Sequence, residues 1–280
     1  MTSSHSKADD AALAEALIAT VIRAGAAVME VYRQDFAVEA KSDASPVTEA
    51  DQRAEAIILA ELAGLAPDIP VVAEEACSAG DVPSVAGAFF LVDPVDGTRE
   101  FVSRNGDFTV NIALIRNGGP VFGLVYAPAH GQLFIGGPAG AEALIVKDGA
   151  IASRVPIAAL PPPDGSPRII ASRSHRTAET DAFIAAHPGA SIVSAGSSLK
   201  FCLMAAGEAD LYPRMGPTMQ WDTAAGDAVL RAAGGIVTDT DGKPLVYGPK
   251  GAAGVRAFAN PWFVARGADR DAKPEAGDES

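Results

Sequence analysis

The chain has 280 residues, 48% of them apolar, and a formal net charge of −13 at pH 7. That length can bury a sizeable core in one large domain or two, and the acidic balance argues against nucleic acid as a partner. No continuous apolar run approaches the roughly 20 residues of a membrane helix, so no integral membrane segment is expected.

The first ten residues are polar and acidic, unlike a signal peptide, and read as a flexible arm. Cytoplasm is the expected setting. Cys77 and Cys202 sit in no CxxC pair and read as free thiols, Cys202 as core packing. From about Asp10 to Tyr32, Leu13, Leu17, Val21, Val28 and Val31 recur at helical spacing. A second helix is expected from Thr48 or Glu49, carrying Ala54, Ile57, Ile58 and Leu62 inward. Val71–Ala73 and Phe89–Val92 read as short strands. Phe108–Arg116, Val121–Tyr126 and Leu133–Gly136 read as a strand series broken by Asn117-Gly118-Gly119 and Pro128.

Pro161-Pro162-Pro163 with Asp164-Gly165 is the clearest linker, which divides an α+β part over 11–163 from an α/β part over 164–267. In the second part, strands at 169–171, 191–193, 209–212 and 236–238 alternate with helices near 179–186, 198–206 and 222–233. Residues 268–280 read as a polar, flexible tail. Strand runs followed by strand–helix alternation indicate a layered α/β molecule.

The chemistry-bearing segment is Asp93-Pro94-Val95-Asp96-Gly97-Thr98, directly after the apolar run ending at Val92. Pro94 fixes its own φ and keeps Asp93 extended, and Gly97 opens backbone space closed to other residues. Asp93 and Asp96 are hard oxygen donors suited to Mg²⁺. If a helical turn follows, the Gly97 and Thr98 amides would face an anion. Three more acidic segments lie at element ends: Glu74-Glu75 after a strand, Glu49 and Asp51 opening a helix, and Asp222 after Trp221. Singly, each such acid is most simply a cap or dipole partner; four together point to one shared site.

Glu74-Glu75, Asp93 to Thr98, and Trp221-Asp222-Thr223-Ala224-Ala225-Gly226 resemble, in order and spacing, the Mg²⁺-dependent, lithium-sensitive phosphatases of the inositol monophosphatase superfamily. Further stretches resemble the bacterial 3'(2'),5'-bisphosphate nucleotidases of that group. These are Lys41-Ser42-Asp43, Ser45 to Asp51, Arg104 to Asn111, Ser172 to His175, Gly196 to Cys202 and Tyr212 to Thr218. The resemblance implies an αβαβα sandwich and hydrolysis of 3'-phosphoadenosine 5'-phosphate, a small phosphorylated nucleotide, to AMP and phosphate. It implies two or three Mg²⁺ ions held by Glu74, Asp93, the Val95 carbonyl, Asp96 and Asp222.

Thr98 paired with Asp51 would activate water, with Glu74 beside them. Glu74, Val95, Asp96, Gly97, Thr98, Ser174, His175, Ser197, Lys200, Arg214 and Asp222 would contact substrate. Ser197, three before Lys200, is expected on the same helical face. Met215 stands where inositol-specific members carry an acid, which disfavours a polyol substrate. Inositol monophosphatase activity, fructose-1,6-bisphosphatase activity and a non-catalytic phosphate-binding role are the alternatives.

Overall fold

The computed structural model of the protein describes residues 6–34, 39–40, 46–47, 49–172 and 176–269. In chain order the first part comprises α1 (Lys7–Tyr32), β1 (Glu39–Ala40), β2 (Pro46–Val47), α2 (Glu49–Leu65), β3 (Val71–Ala73), α3 (Glu74–Ser78), β4 (Ala88–Asp96) and α4 (Thr98–Val102). Strands β5 (Thr109–Arg116), β6 (Gly119–Ala127), β7 (Gln132–Gly137), β8 (Gly140–Lys147) and β9 (Ala150–Pro156) follow. The second part comprises β10 (Arg168–Ala171), α5 (Ala178–Ala185), β11 (Ser191–Ser194), α6 (Leu199–Ala205), β12 (Leu211–Arg214), α7 (Ala224–Ala232), β13 (Ile236–Asp239), a 3₁₀ turn (Gly254–Phe258) and β14 (Phe263–Arg266).

Helix α1 begins three residues earlier than the apolar spacing suggests, so residues 7–10 are helical and no flexible arm. The reason is a capping box: Ser6 Oγ accepts from the Asp9 amide at 3.2 Å, and Asp9 Oδ2 accepts from the Ser6 amide at 2.9 Å. The helix is also the one described element long and apolar enough, by length and composition alone, to cross a membrane. At 26 residues, with a mean hydropathy of 1.7 over its best 18, α1 meets that criterion. Its apolar side is nevertheless committed to the core, since Leu17, Val21, Ala24 and Val28 are fully buried against α2 and β6. Near its start the buried Asp10 accepts from Arg116 of β5 at 2.7 Å.

The first sheet runs β3-β4-β5-β6-β7-β8-β9, with β3 parallel to β4 and every other pair antiparallel. Helices α1 and α2 pack on it, and α7 lies along β5, β6 and β7. The second sheet is mixed, in the order β11-β10-β12-β14-β13. Helix α5 contacts β12 and buries only Thr180 among its residues, as an outer layer does. The layers therefore read α, β, α, β, α.

One hydrophobic cluster spans both sheets. Phe89 of β4 meets Phe258 with ring centroids 6.4 Å apart, and Phe201 of α6 stacks on Phe263 of β14 at 5.8 Å. Helix α7 approaches the first sheet over two glycines. A Cβ at Gly123 would lie 2.4 Å from the Ala225 carbonyl oxygen, and one at Gly136 would lie 2.4 Å from Val229 Cα.

At the base of the second sheet, the fully buried Asp210 accepts three hydrogen bonds from Arg168. They come from its amide at 2.7 Å, its Nε at 3.1 Å and its Nη2 at 2.6 Å. Burial alone would raise the Asp210 carboxyl, but the Arg168 bonds outweigh it and hold the carboxyl below its ordinary range. The folded state thus favours the ionised form, so this stabilisation is present above the ordinary carboxylate pKa of about 4 and fades as pH falls through the lower folded value. Asp210→Asn is expected to cost about 2–3 kcal/mol at pH 7, discounted for the partial exposure of Arg168. Urea titrations of variant and parent should begin to converge as pH falls below about 4; a penalty that stays constant down to pH 3 would refute the linkage.

Candidate active site

Strand β4 does not end in a turn at Pro94, as its sequence suggests; it runs on to Asp96 through a bulge. Asp93 pairs with Asn111 and Asp96 with Thr109 on β5, and the register shifts between them. Pro94 is tolerated there because a bulge does not need its missing N–H. Within the bulge the Val95 amide donates to Asp93 Oδ1 at 3.1 Å. Gly97 then takes φ +91°, and Thr98 opens the short α4.

Asp93 is buried. Its carboxyl is pushed well above the usual range by burial first, then by the charges of Glu74, Asp96, Asp222 and Asp51. Four acidic segments far apart in sequence therefore come within Coulombic reach of one side chain. Asp222 is pushed up to about 7 by burial and then by Asp96, while the Met219 amide at 2.8 Å and Arg214 act the other way. Burial also raises Asp96, opposed by Ser197, Lys200 and the Ser198 amide. Hard carboxylate oxygens buried within Coulombic reach of one another are the donor set a divalent cation would relieve.

Among the described residues, no three carboxylate, imidazole or thiol side chains stand close enough to grip one ion directly. Protein donors explain part of this spread. Asp96 Oδ2 accepts from Ser197 Oγ and the Ser198 amide, each at 2.6 Å, and Asp222 Oδ2 accepts from Met219. The residues fit a divalent cation in donor chemistry, with Asp93, Asp96 and Asp222 turned toward protein donors.

Glu74 is the first residue of α3, whose N-cap position is Ala73, a residue with no side-chain acceptor. The buried Glu55 of α2 supplies the cap from a distance, accepting from the Glu75 and Ala76 amides at 2.9 Å each. Glu55 was not legible as a site residue, although it stands one helical turn after Asp51, itself buried.

Ser197 differs from expectation. Helix α6 starts at Leu199, so Ser197 shares no helical face with Lys200. It adopts φ +54°, unusual for a residue with a Cβ. Its hydroxyl meets Asp96 Oδ2 and Thr109 Oγ1, while its carbonyl accepts from Lys200 Nζ at 2.6 Å. Lys200 is buried, with Nζ 5.4 Å from the Tyr212 ring centroid, and burial lowers its pKa to about 8 against the pull of Asp96.

Arg214 ends β12. One guanidinium nitrogen donates to the Pro217 carbonyl at 3.1 Å, and its buried Nε has no hydrogen-bond partner among the described residues. Ser174 and His175 lie outside the described residues. Both cysteines are free and buried, as expected.

The inositol monophosphatase family model matches residues 9–265. The 3'(2'),5'-bisphosphate nucleotidase CysQ of Escherichia coli (strain K12) is 44% identical over 243 residues, covering 86% of this chain and 94% of that protein. The enzyme of the same name from Buchnera aphidicola is 38% identical over 80% of this chain and 83% of its own. The crystal structure of CysQ from Bacteroides thetaiotaomicron superimposes with a TM-score of 0.75 at 35% identity, covering 91% of this chain and 97% of that one. Acidic segments gathered around Asp93, the five-layer fold and these likenesses converge: the chain belongs to the inositol monophosphatase family.

Proposed function

We propose that the protein is a Mg²⁺-dependent phosphatase that hydrolyses 3'-phosphoadenosine 5'-phosphate to AMP and phosphate in the cytoplasm. The observation that carries this reading is the buried Asp93, ringed by Glu74, Asp96, Asp222 and Asp51. The 44% identity to CysQ supports the substrate. Glu74, Asp93, the Val95 carbonyl, Asp96 and Asp222 would hold two or three Mg²⁺ ions. When bound, such ions lower the pKa of water and offset phosphate charge.

The chain's own groups do the rest. Asp51 accepts a proton through Thr98 from the attacking water, because a hydroxyl is a poor base without a carboxylate beside it. Glu74 fixes that water from the α3 side. The amides of Gly97 and Thr98 donate to the phosphate oxygens as charge shifts onto them. The bond between phosphorus and the 3'-oxygen breaks, and the 3'-oxygen takes up a proton as it leaves.

Lys200 and Arg214 bind the second phosphate, Lys as a point charge and Arg through its planar guanidinium. Ser197 shapes the same wall, and Ser174 with His175 would face the ribose or base. The buried Met215 offers a polyol no side-chain acceptor, which favours a nucleotide over inositol phosphate.

Phosphate release from 3'-phosphoadenosine 5'-phosphate, inositol monophosphate and fructose 1,6-bisphosphate, with and without Mg²⁺, ranks the substrates by kcat/KM. The nucleotide should lead; equal values would remove the assignment. Arg214→Ala is expected to raise KM for the bisphosphate about tenfold, the loss of one charged hydrogen bond, and to leave a simple monophosphate nearly unaffected. Equal effects on both would break the role given to Arg214.

A further inference from the structure

Asp96 and Lys200 belong to different halves of the fold, one on the first sheet and the other on α6. They meet at Ser197, which gives its hydroxyl to Asp96 and its carbonyl to the Lys200 ammonium. Serving both at once requires the backbone at Ser197 to stay at φ +54°, a conformation a serine leaves readily unless its neighbours hold it.

What holds it is visible one residue earlier. The Gly196 amide donates to Asp107 Oδ2 at 3.1 Å, and Asp107 Oδ1 lies 3.1 Å from His130 Nε2 on the β6–β7 turn. Asp107 in turn is fixed by its own amide, which donates to Asn105 Oδ1 at 2.9 Å. Gly196 is pressed so closely onto this support that a Cβ would fall 2.7 Å from Asp107 Cβ and 2.7 Å from Glu100 Cγ. After Ser197, Ser198 continues the seam, its hydroxyl donating to Asn111 at 2.7 Å and lying 2.8 Å from Thr109 Oγ1.

We propose that Asp107 is a positioning residue that anchors the Gly196–Ser198 loop across the two halves, so that the Asp96 carboxylate and the Lys200 ammonium stand in register. Asp107 touches neither substrate nor metal; it acts through Gly196 and Ser197. This role rests on the phosphatase reading of the site. Outer partners that orient a ligating carboxylate typically alter metal affinity or activity 10–100-fold, and Asp107 stands one layer further out.

The test uses Trp221, adjacent to Asp222, as a fluorescent reporter of Mg²⁺ titration in the full-length protein, alongside KM for 3'-phosphoadenosine 5'-phosphate and thermal melting. Asp107→Ala is expected to shift the Mg²⁺ midpoint and the KM upward together, each by about tenfold, with the melting temperature little changed. Asp107→Asn keeps an oxygen for the Gly196 amide and should restore most of both. Asp107→Ala with parental midpoint and KM would overturn the proposal, as would Asp107→Asn being as impaired as Asp107→Ala. If the parent protein itself shows no Mg²⁺ response and releases no phosphate, the phosphatase reading falls and this role with it. A normal parent beside an unaffected Asp107→Ala sinks the role alone.

Discussion

Asp93→Asn is expected to cut Mg²⁺-dependent phosphate release by on the order of a thousandfold, about 4 kcal/mol of transition-state stabilisation, while making the metal-free protein harder to melt. The two effects have one cause. Asp93 lies buried among the charges of Glu74, Asp96, Asp222 and Asp51. An ionised group there suffers both lost hydration and like-charge repulsion. Asparagine keeps an oxygen for the Val95 amide, now at 3.1 Å from Asp93, and removes the charge. Relief of about 1–2 kcal/mol would raise the melting temperature by roughly 2–8 °C. Calorimetry in chelator and a phosphate assay check both arms. A variant that retains parental turnover, or one that melts well below the parent, would defeat this account. Glu74→Gln should lose turnover similarly, because α3 holds that carboxylate in place through the Glu55 cap.

Gly136→Val should be severely damaging for folding although it lies away from the acidic cluster. The added Cβ would meet Val229 Cα at 2.4 Å and the Ala228 carbonyl oxygen at 3.0 Å. Both are backbone atoms of α7, so no rotamer change clears the clash and the helix must lift from the sheet. A loss of about 3 kcal/mol or more is expected, with a melting temperature lower by roughly 6–12 °C. Gly64→Ala is the internal control. It sits in α2 with nothing within 4 Å of the new Cβ, so helix propensity should stabilise by about 0.5–1 kcal/mol. Urea denaturation of both variants gives the comparison. Gly136→Val as stable as the parent would mean that α7 does not pack as described.

Much of the fold was legible because it follows periodicity. The stripe of α1, the inward face of α2, the run at 89–92 and the strand–helix alternation after 167 all reappear as elements. The β8–β9 hairpin was missed because β9 is exposed along its whole length and carries no apolar alternation. Helix α3, at five residues, is too short for any period to register. Strand β14, Phe263–Arg266, completes the second sheet from the far end of the chain and pairs with β12 and β13; nothing local announces that pairing.

The acidic segments of the candidate site could be named from sequence because each lies at the end of an element. The groups that orient them could not. Thr109 and Asn111 reach Asp96 through the pairing of β4 with β5, and Ser198 and the Gly196–Asp107 contact join them only when the segment before α6 is laid against the end of β5. Ser197 lies outside the expected helix for the same reason: its hydroxyl is engaged by partners 88 and 101 residues away and the amide before it by Asp107.

The proline-rich stretch at 161–163 is the most obvious place to divide the polypeptide, and residues 163–166 are exposed. Yet α7, encoded after that point, lies on strands encoded before it, and Phe258 from near the C-terminus rests on Phe89. Severed there, each piece would be left with a raw oily wall where its counterpart belongs. The visible joint in the sequence is therefore crossed by a shared interior, so neither stretch would keep its apolar face dry without the other.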